Sequence, residues 1–347
     1  MRRSLAGIAI LAVVAGLLYY AAGRREVELH QREFFVMGTL VSITIADTDR
    51  ATALRAMEAA EEDFRYMDRT WNPWKPSALR RINQLLASTE WFSVAPSVEP
   101  LIRDSMELYE RSGGLFNPAI GGLVALWGFN RDEPPTTPPP REAIGDLVAR
   151  APSMADIEFD GIRIRSRNAA VQLDFGAFAK GRAVRIVTDL LLEMGIRNAI
   201  VNAGGDLRAI GRRGDRPWRI AIRRPSGEGY LAVLETRGDE SIFTSGDYER
   251  WFEYQGRRYH HILDPRTGYP AEGVSSVTVV HGDAGLADAA ATALFVAGPE
   301  KWPETARAMG VEQVMVVGSD GTVYMTPAMA ERIRFEEEPP RVVIRSP

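Results

Sequence analysis

Hydrophobic positions along this chain recur with two periods, and the period changes often. Residues 34–46, FFVMGTLVSITIA, alternate as a strand does, with a Gly-Thr interruption. Over 51–69, Leu54, Met57, Ala60, Phe64 and Met67 recur at helical spacing and predict an amphipathic helix. A second helix is expected from Pro96 or Ser97 to about Arg111, ending at Gly113–Gly114. EPPTTPPP at 133–140 reads as a linker or surface loop, with a short helix after it. Strands are expected near 157–165 and 169–174. Residues 177–195 then place Val184, Val187, Leu190, Leu191 and Met194 on one helical stripe closed by Gly195. Further strands fall near 198–202, 218–224, 230–236, 241–244, 258–262 and 275–280. Helices over 284–297 and 299–309 precede a strand near 311–317 and a charged tail. Strands in runs with separated helices predict an α+β fold, with mixed or antiparallel sheets flanked by helices, over a regular βαβ array.

The N-terminus breaks this pattern. Arg2 and Arg3 precede an uncharged run from Leu5 to Ala22. At ~1.5 Å per residue that run reaches ~27 Å, near the ~30 Å of a hydrocarbon core. It reads as a membrane anchor or as a secretory signal cut among the small residues 21–23; Tyr19 and Tyr20 suit an interfacial belt and favour the anchor. The expected organisation is an anchor or signal over 1–25, one domain over 30–335 and a flexible tail over 336–347. The domain would then work outside the cytoplasm, at the membrane.

Composition narrows the chemistry. With 347 residues, 45% hydrophobic and 25% charged, the chain is an ordinary globular protein. A net charge of −4 with no basic stripe gives no footprint for nucleic acid. The absence of cysteine excludes thiol nucleophiles, zinc–thiolate sites and lipid attachment through cysteine.

Polar residues concentrate in a few segments. Asp288 and Thr292, four apart in AGLADAAATALF, share a helix face and aim two hard oxygen ligands at one point. In HHILDPRTGYP, His260 and His261 must face opposite sides of a strand, so one can enter a site, as a general base, while the other packs. LDFGAFAKG at 173–181 joins a strand end to a helix start. Asp174 either caps that helix or contacts a ligand, and Lys180 is either solvated or beside a phosphate at the helix N-terminus. NAGGD allows either a tight turn or a ligand contact at Asp206, and it is not GxGxxG. FNPAIGGLVALWGF at 116–129 is either a wall for a flat ring or an apolar core helix. In FTSGDYERWF, Ser245 and Asp247 are ligand candidates or parts of a hairpin turn.

Together these blocks, with MGT at 37–39 and in this order, resemble the ApbE family of FAD:protein FMN transferases over nearly the whole chain after residue 30. The resemblance implies an α+β fold with an FAD cleft. It also implies a magnesium-dependent reaction (manganese accepts the same ligands) that splits FAD and passes FMN to a threonine or serine hydroxyl of a partner, releasing AMP. By the same resemblance, Ala177 (through its carbonyl), Asp288 and Thr292 hold the metal. Met37, Trp71, Leu115, Phe116, Asn117, Asp174, Lys180 and Ile262 contact FAD, and His261 deprotonates or orients the acceptor hydroxyl. Acceptors would be flavin-carrying subunits of respiratory or redox complexes, met on the periplasmic side of the cytoplasmic membrane. Two rival functions are FAD pyrophosphatase, with water in place of the acceptor, and non-catalytic flavin binding or delivery. The loop WNPWKPS departs from the family's tyrosine-x-proline-x-serine, and the lipid-attachment cysteine of many relatives is absent.

Overall fold

The structure, a computed structural model, describes residues 27–347 apart from 132, 134, 338 and 340. No helix of the described residues is long and apolar enough to cross a membrane; the run Leu5–Ala22, expected as anchor or signal, lies outside them.

The first predicted strand is two. Met37 (φ 53) and Gly38 (φ 72) both take the left-handed backbone of a tight two-residue turn, joining β1 (Leu29–Val36) to β2 (Thr39–Ala46). Helix α1 (Arg50–Trp71) follows, its first turn capped by Asp49, which accepts the Thr52 N–H at 3.0 Å. Then come α2 (Ala78–Leu86), β3 (Phe92–Ser93), α3 (Glu99–Arg111), α4 (Gly121–Trp127) and α5 (Arg141–Ala149). A hairpin of β4 (Ile157–Asp160) and β5 (Arg163–Ser166) leads to α6 (Ala179–Glu193). The strand expected near 169–174 is reduced to an isolated bridge between Ile120 and Gln172.

Next are β6 (Ala199–Ala203), β7 (Asp206–Ile210), β8 (Arg219–Arg223), β9 (Tyr230–Glu235) and β10 (Glu240–Gly246). The hairpin of β11 (Trp251–Tyr254) and β12 (Arg257–His260) precedes β13 (Val274–His281) and α7 (Ala284–Met309), which breaks at Gly298 (φ 80) into the two helices expected. The chain closes with β14 (Gln313–Gly318), β15 (Val323–Met325), α8 (Pro327–Ala330), β16 (Arg334–Phe335) and β17 (Val342–Ile344). Near the C-terminus β17 pairs in parallel with β15, which satisfies backbone groups at that sheet edge.

A nine-stranded sheet in the order β1-β2-β6-β7-β10-β13-β14-β15-β17 divides the fold. Its β15–β17 pair is parallel and the others antiparallel, so the sheet is mixed. On one face α7 crosses β10 and β13, and α6 lies against α7 and α1. Val184, Val187 and Leu191 are fully buried there, at ~1.5–3 kcal/mol each. The opposite face carries the small sheet β16-β9-β8 over Leu207, Ile242, Val280 and Trp218. A third, aromatic cluster joins Trp127 and Phe129 to Phe252 and Tyr259. Trp127 donates its indole N–H to the Gly268 carbonyl at 2.7 Å. The 116–129 block thus braces the DPRTGYP loop; Trp127 is buried and offers no ring wall.

Candidate active site

The site is assembled where the starts of α6 and α7 meet the ends of β6, β7 and β10. Gly181, in the first turn of α6, carries no side chain because none fits. A Cβ there would meet the Ala284 carbonyl oxygen at 2.3 Å and the Asp288 Cβ at 2.7 Å. That closeness lets the Gly181 N–H donate to Asp288 Oδ2 at 2.8 Å. Gly181 stands in the first turn, where a helix N–H has no acceptor within the helix, and Asp288 supplies one. The Ala177 carbonyl, just ahead of the helix, has no backbone donor among the described residues.

Thr292 lies one turn beyond Asp288 on α7, and its Oγ1 meets Ser245 Oγ of β10 at 3.1 Å. Ser245 adjoins Thr244, whose N–H donates to Asp206 Oδ1 at 2.8 Å. The other Asp206 oxygen receives the Lys180 ammonium in a salt bridge. Asp206 is thereby the anchor of Lys180, not a free ribose ligand. The turn at Gly204–Gly205 places it at the first position of β7 with 3% of its surface exposed.

Charge follows from this packing. Burial, then repulsion from Asp206, pushes the Asp288 carboxyl up to about 7, against the pull of Lys180 and the Gly181 N–H. For Lys180 the burial cost is outweighed by the carboxylates of Asp206 and Asp288, so its ammonium binds its proton more tightly than an ordinary lysine. The Lys180 side chain keeps 31% exposure, which screens that attraction. Burial likewise pushes Asp174 up, offset in part by the Gly176 N–H, the Arg250 charge and the Trp74 indole. Asp174 accepts that N–H at 2.8 Å in a local turn; Phe178 stands at the N-cap of α6 and no side chain caps it, so Asp174 is not its cap.

The two adjacent histidines split as their alternation requires. His260 is buried, with Nε2 bonded to the Ala271 carbonyl at 2.9 Å and its ring edge against Phe295. His261 stands just past β12 and points the other way, its N–H donating to the Arg250 carbonyl at 3.0 Å. Its Nδ1 is buried with no partner among the described residues. Burial first, then His260, Arg250 and Lys180, push the imidazole down to about 3, so it is neutral at ordinary pH. A neutral ring with an unmatched nitrogen beside Lys180 is positioned to take a proton.

The remaining predicted residues divide. Met37 sits in its strained turn, half-buried against the core, and Ile262 is buried behind His261. Trp71 is 6% exposed and donates its indole N–H to the Ser97 carbonyl at 2.8 Å, which fixes its ring at the end of α1. The more accessible indole beside Asp174 is Trp74, from the lengthened WNPWKPS loop; that extra length was the available signal. Phe116 is a core residue edge-on to Phe178 at 6.1 Å, Leu115 packs beside it, and both polar atoms of Asn117 are bonded to Pro152 and Ala119. These three support the cleft from below: Pro118 accepts the Asp174 N–H at 2.8 Å. Asn83 of the unforeseen α2 clamps Leu173 through both its amide groups, at 2.9 and 2.8 Å. Two surface cavities of about 480 and 510 Å³ contain none of the predicted site residues.

Among the described residues no group of three or more histidines and acids forms a ready metal cage. One carboxylate, one hydroxyl and one carbonyl without a backbone donor among the described residues still fit a small hard cation that keeps water and phosphate oxygens in its other positions.

Solved structures share this architecture. An ApbE protein of Thermotoga maritima superimposes with a TM-score of 0.81 at 32% identity, covering 90% of this chain and all (100%) of that one. The flavin transferase ApbE of Vibrio cholerae gives 0.77 at 29% identity, covering 88% and 99%. A FAD:protein FMN transferase of Rhodobacter capsulatus is 42% identical over 331 residues; the match takes in 94% of this chain but only 63% of that protein. One from Treponema pallidum is 32% identical over 340 residues, covering 90% and 91%. The sequence model of the ApbE family matches residues 37–315, the span that carries every residue of the cluster just described. The chain belongs to the ApbE family.

Proposed function

We propose that the protein transfers FMN from FAD to a threonine or serine hydroxyl of an acceptor flavoprotein, releasing AMP, with magnesium as the assisting cation. The observation that carries this reading is the Gly181–Asp288 hydrogen bond, which draws the start of α6, with the undonated Ala177 carbonyl just ahead of it, to the Asp288 carboxylate, one turn from Thr292 on α7. Ala177, Asp288 and Thr292 would hold the cation, which would neutralise diphosphate charge and make phosphorus more open to attack. Names of relatives at up to 42% identity support the same activity.

The protein's own groups have separate tasks. Lys180, fixed by Asp206 at the N-terminus of α6, adds positive charge and free N–H groups where phosphate oxygens would lie. His261 takes the proton of the acceptor hydroxyl. The hydroxyl oxygen bonds to the FMN-side phosphorus as the bridging P–O bond breaks, and AMP leaves with the bridging oxygen and its electron pair. At about 3 the imidazole by itself is a weak base. Two phosphate charges arriving beside Arg250 and Lys180 offset the cations that depress it and raise its proton affinity.

The proposed acceptors are flavin-carrying subunits of respiratory or redox complexes, met on the periplasmic side of the cytoplasmic membrane, where Leu5–Ala22 would hold the domain. Incubation with FAD, magnesium and a threonine-bearing acceptor tests the activity. Flavin bound covalently to the acceptor, with AMP released, is expected. Free FMN and AMP with an unmodified acceptor would make the protein a pyrophosphatase, and intact FAD would make it a binding or delivery protein.

A further inference from the structure

Lys180 is committed to Asp206 and flanked by Asp288, so its charge is largely answered before any substrate arrives. A diphosphate brings two negative charges into a site that already holds Asp174, Asp206 and Asp288. A second cation is therefore needed, and one stands at the cleft with no salt bridge among the described residues. Arg250 lies in the bend between β10 and β11 and is exposed. Among the described residues its only side-chain hydrogen bond runs from Nη1 to the Phe129 carbonyl, at a long 3.5 Å.

Three neighbours show where the guanidinium points. Its charge lowers the proton affinity of both Asp174 and His261. Its backbone carbonyl holds the His261 N–H at 3.0 Å. Its Nη2 lies 3.0 Å from where a Cβ on Gly38 would stand, so the hairpin turn at Met37–Gly38 leaves room for it. An uncommitted planar donor, hemmed by the first hairpin, the Asp174 turn and the proposed base, suits two-pronged recognition of a phosphate.

We infer that Arg250 binds the diphosphate of the dinucleotide substrate and that Gly38 is a positioning residue for its guanidinium. This assignment rests on the FAD reading. Arg250 clamps the phosphates opposite Lys180, while flavin-ring contacts come from elsewhere in the cleft.

Binding titrations with FAD, ADP and riboflavin, in the presence of a chelator, separate the contributions. Arg250→Ala is expected to weaken FAD and ADP about tenfold to a hundredfold, the usual size of a lost charged hydrogen-bond pair. Riboflavin, which has no phosphate, should keep its affinity within about twofold by the same reasoning. Arg250→Lys should recover part of the loss, since it keeps the charge without the fork. Gly38→Ala, which crowds the guanidinium without removing it, should weaken FAD and ADP in the same direction, with riboflavin spared. Unchanged FAD affinity in Arg250→Ala would overturn the assignment, as would equal losses for FAD and riboflavin, which would mark a ring contact or a structural role. If the unaltered protein binds neither FAD nor ADP, the FAD reading fails and takes the assignment with it.

Discussion

Asp288 is a carboxylic acid held in an environment that resists its charge. Burial raises it to about 7, so it holds its proton far more tightly than an ordinary aspartate. Between its unfolded value of 3.8 and 7 the folded state holds an extra proton, and its contribution to stability falls as pH rises through that window. A cation replaces that proton and reverses the penalty. Magnesium at about a hundred times its dissociation constant should therefore raise the melting temperature by roughly 5 °C at pH 8. At pH 5.5, where the cation must displace a bound proton, the gain should be less than half as large; equal gains would place the metal elsewhere. Asp288→Asn should lower the transfer rate by about a hundredfold or more while FAD still binds, since an uncharged amide keeps the shape but not the ligand. Activity assays with parallel binding titrations check this, and loss of both together would indicate a structural role.

His261 has the opposite sign. Its folded value of about 3 lies below the 6.5 of an unfolded histidine. Its neutral form supports stability above pH 6.5, and that support is lost as pH falls toward the folded value, because only the unfolded chain takes up the proton. His261→Gln removes this proton linkage. The variant should lose less stability than the unaltered protein between pH 6.5 and 4, as read by thermal unfolding, and should transfer FMN at about a hundredth of the rate or less. A variant with an unaltered rate would remove His261 from the reaction.

At the scale of elements, the α6–α7 contact governs the site. Gly181→Ala would drive a methyl into the Ala284 carbonyl and the Asp288 side chain. Overpacking of this kind costs about 1–3 kcal/mol, and it would separate the Gly181 N–H from Asp288. Transfer should fall further than the stability loss explains, and raising magnesium should restore part of it. A stable variant of full activity would show that the hydrogen bond is incidental. These helices were legible because Val184, Val187 and Leu191 repeat at helical spacing. Strand β7 was not: all five residues from Asp206 to Ile210 are buried, which erases the alternation that marks a strand. Helix α2 was hidden behind the Pro- and Trp-rich loop, although Ser77 caps it by accepting the Arg80 N–H at 2.9 Å.

At the scale of the whole molecule, the sheet separates two tasks: helices with the chemistry on one face, the β8–β9 layer bracing the other. The shared helix face of Asp288 and Thr292 was legible from their spacing of four, and the helix start bearing Lys180 from its strand-to-helix motif, whereas Ala177 entered through the resemblance alone. The pairing of these segments was not legible, because Gly181 and Asp288 are 107 residues apart and Lys180 and Asp206 are 26. Periodicity reports a helix face but not which carboxylate answers which amine. Trp71, Leu115, Phe116 and Asn117 were placed by resemblance alone, and here they brace the cleft from the core. The most direct test of the central claim is mass spectrometry of a threonine-bearing acceptor after incubation with FAD, magnesium and this protein. The acceptor should gain one FMN on the threonine hydroxyl, with an equal amount of AMP released. An acceptor of unchanged mass alongside free FMN and AMP would contradict transfer.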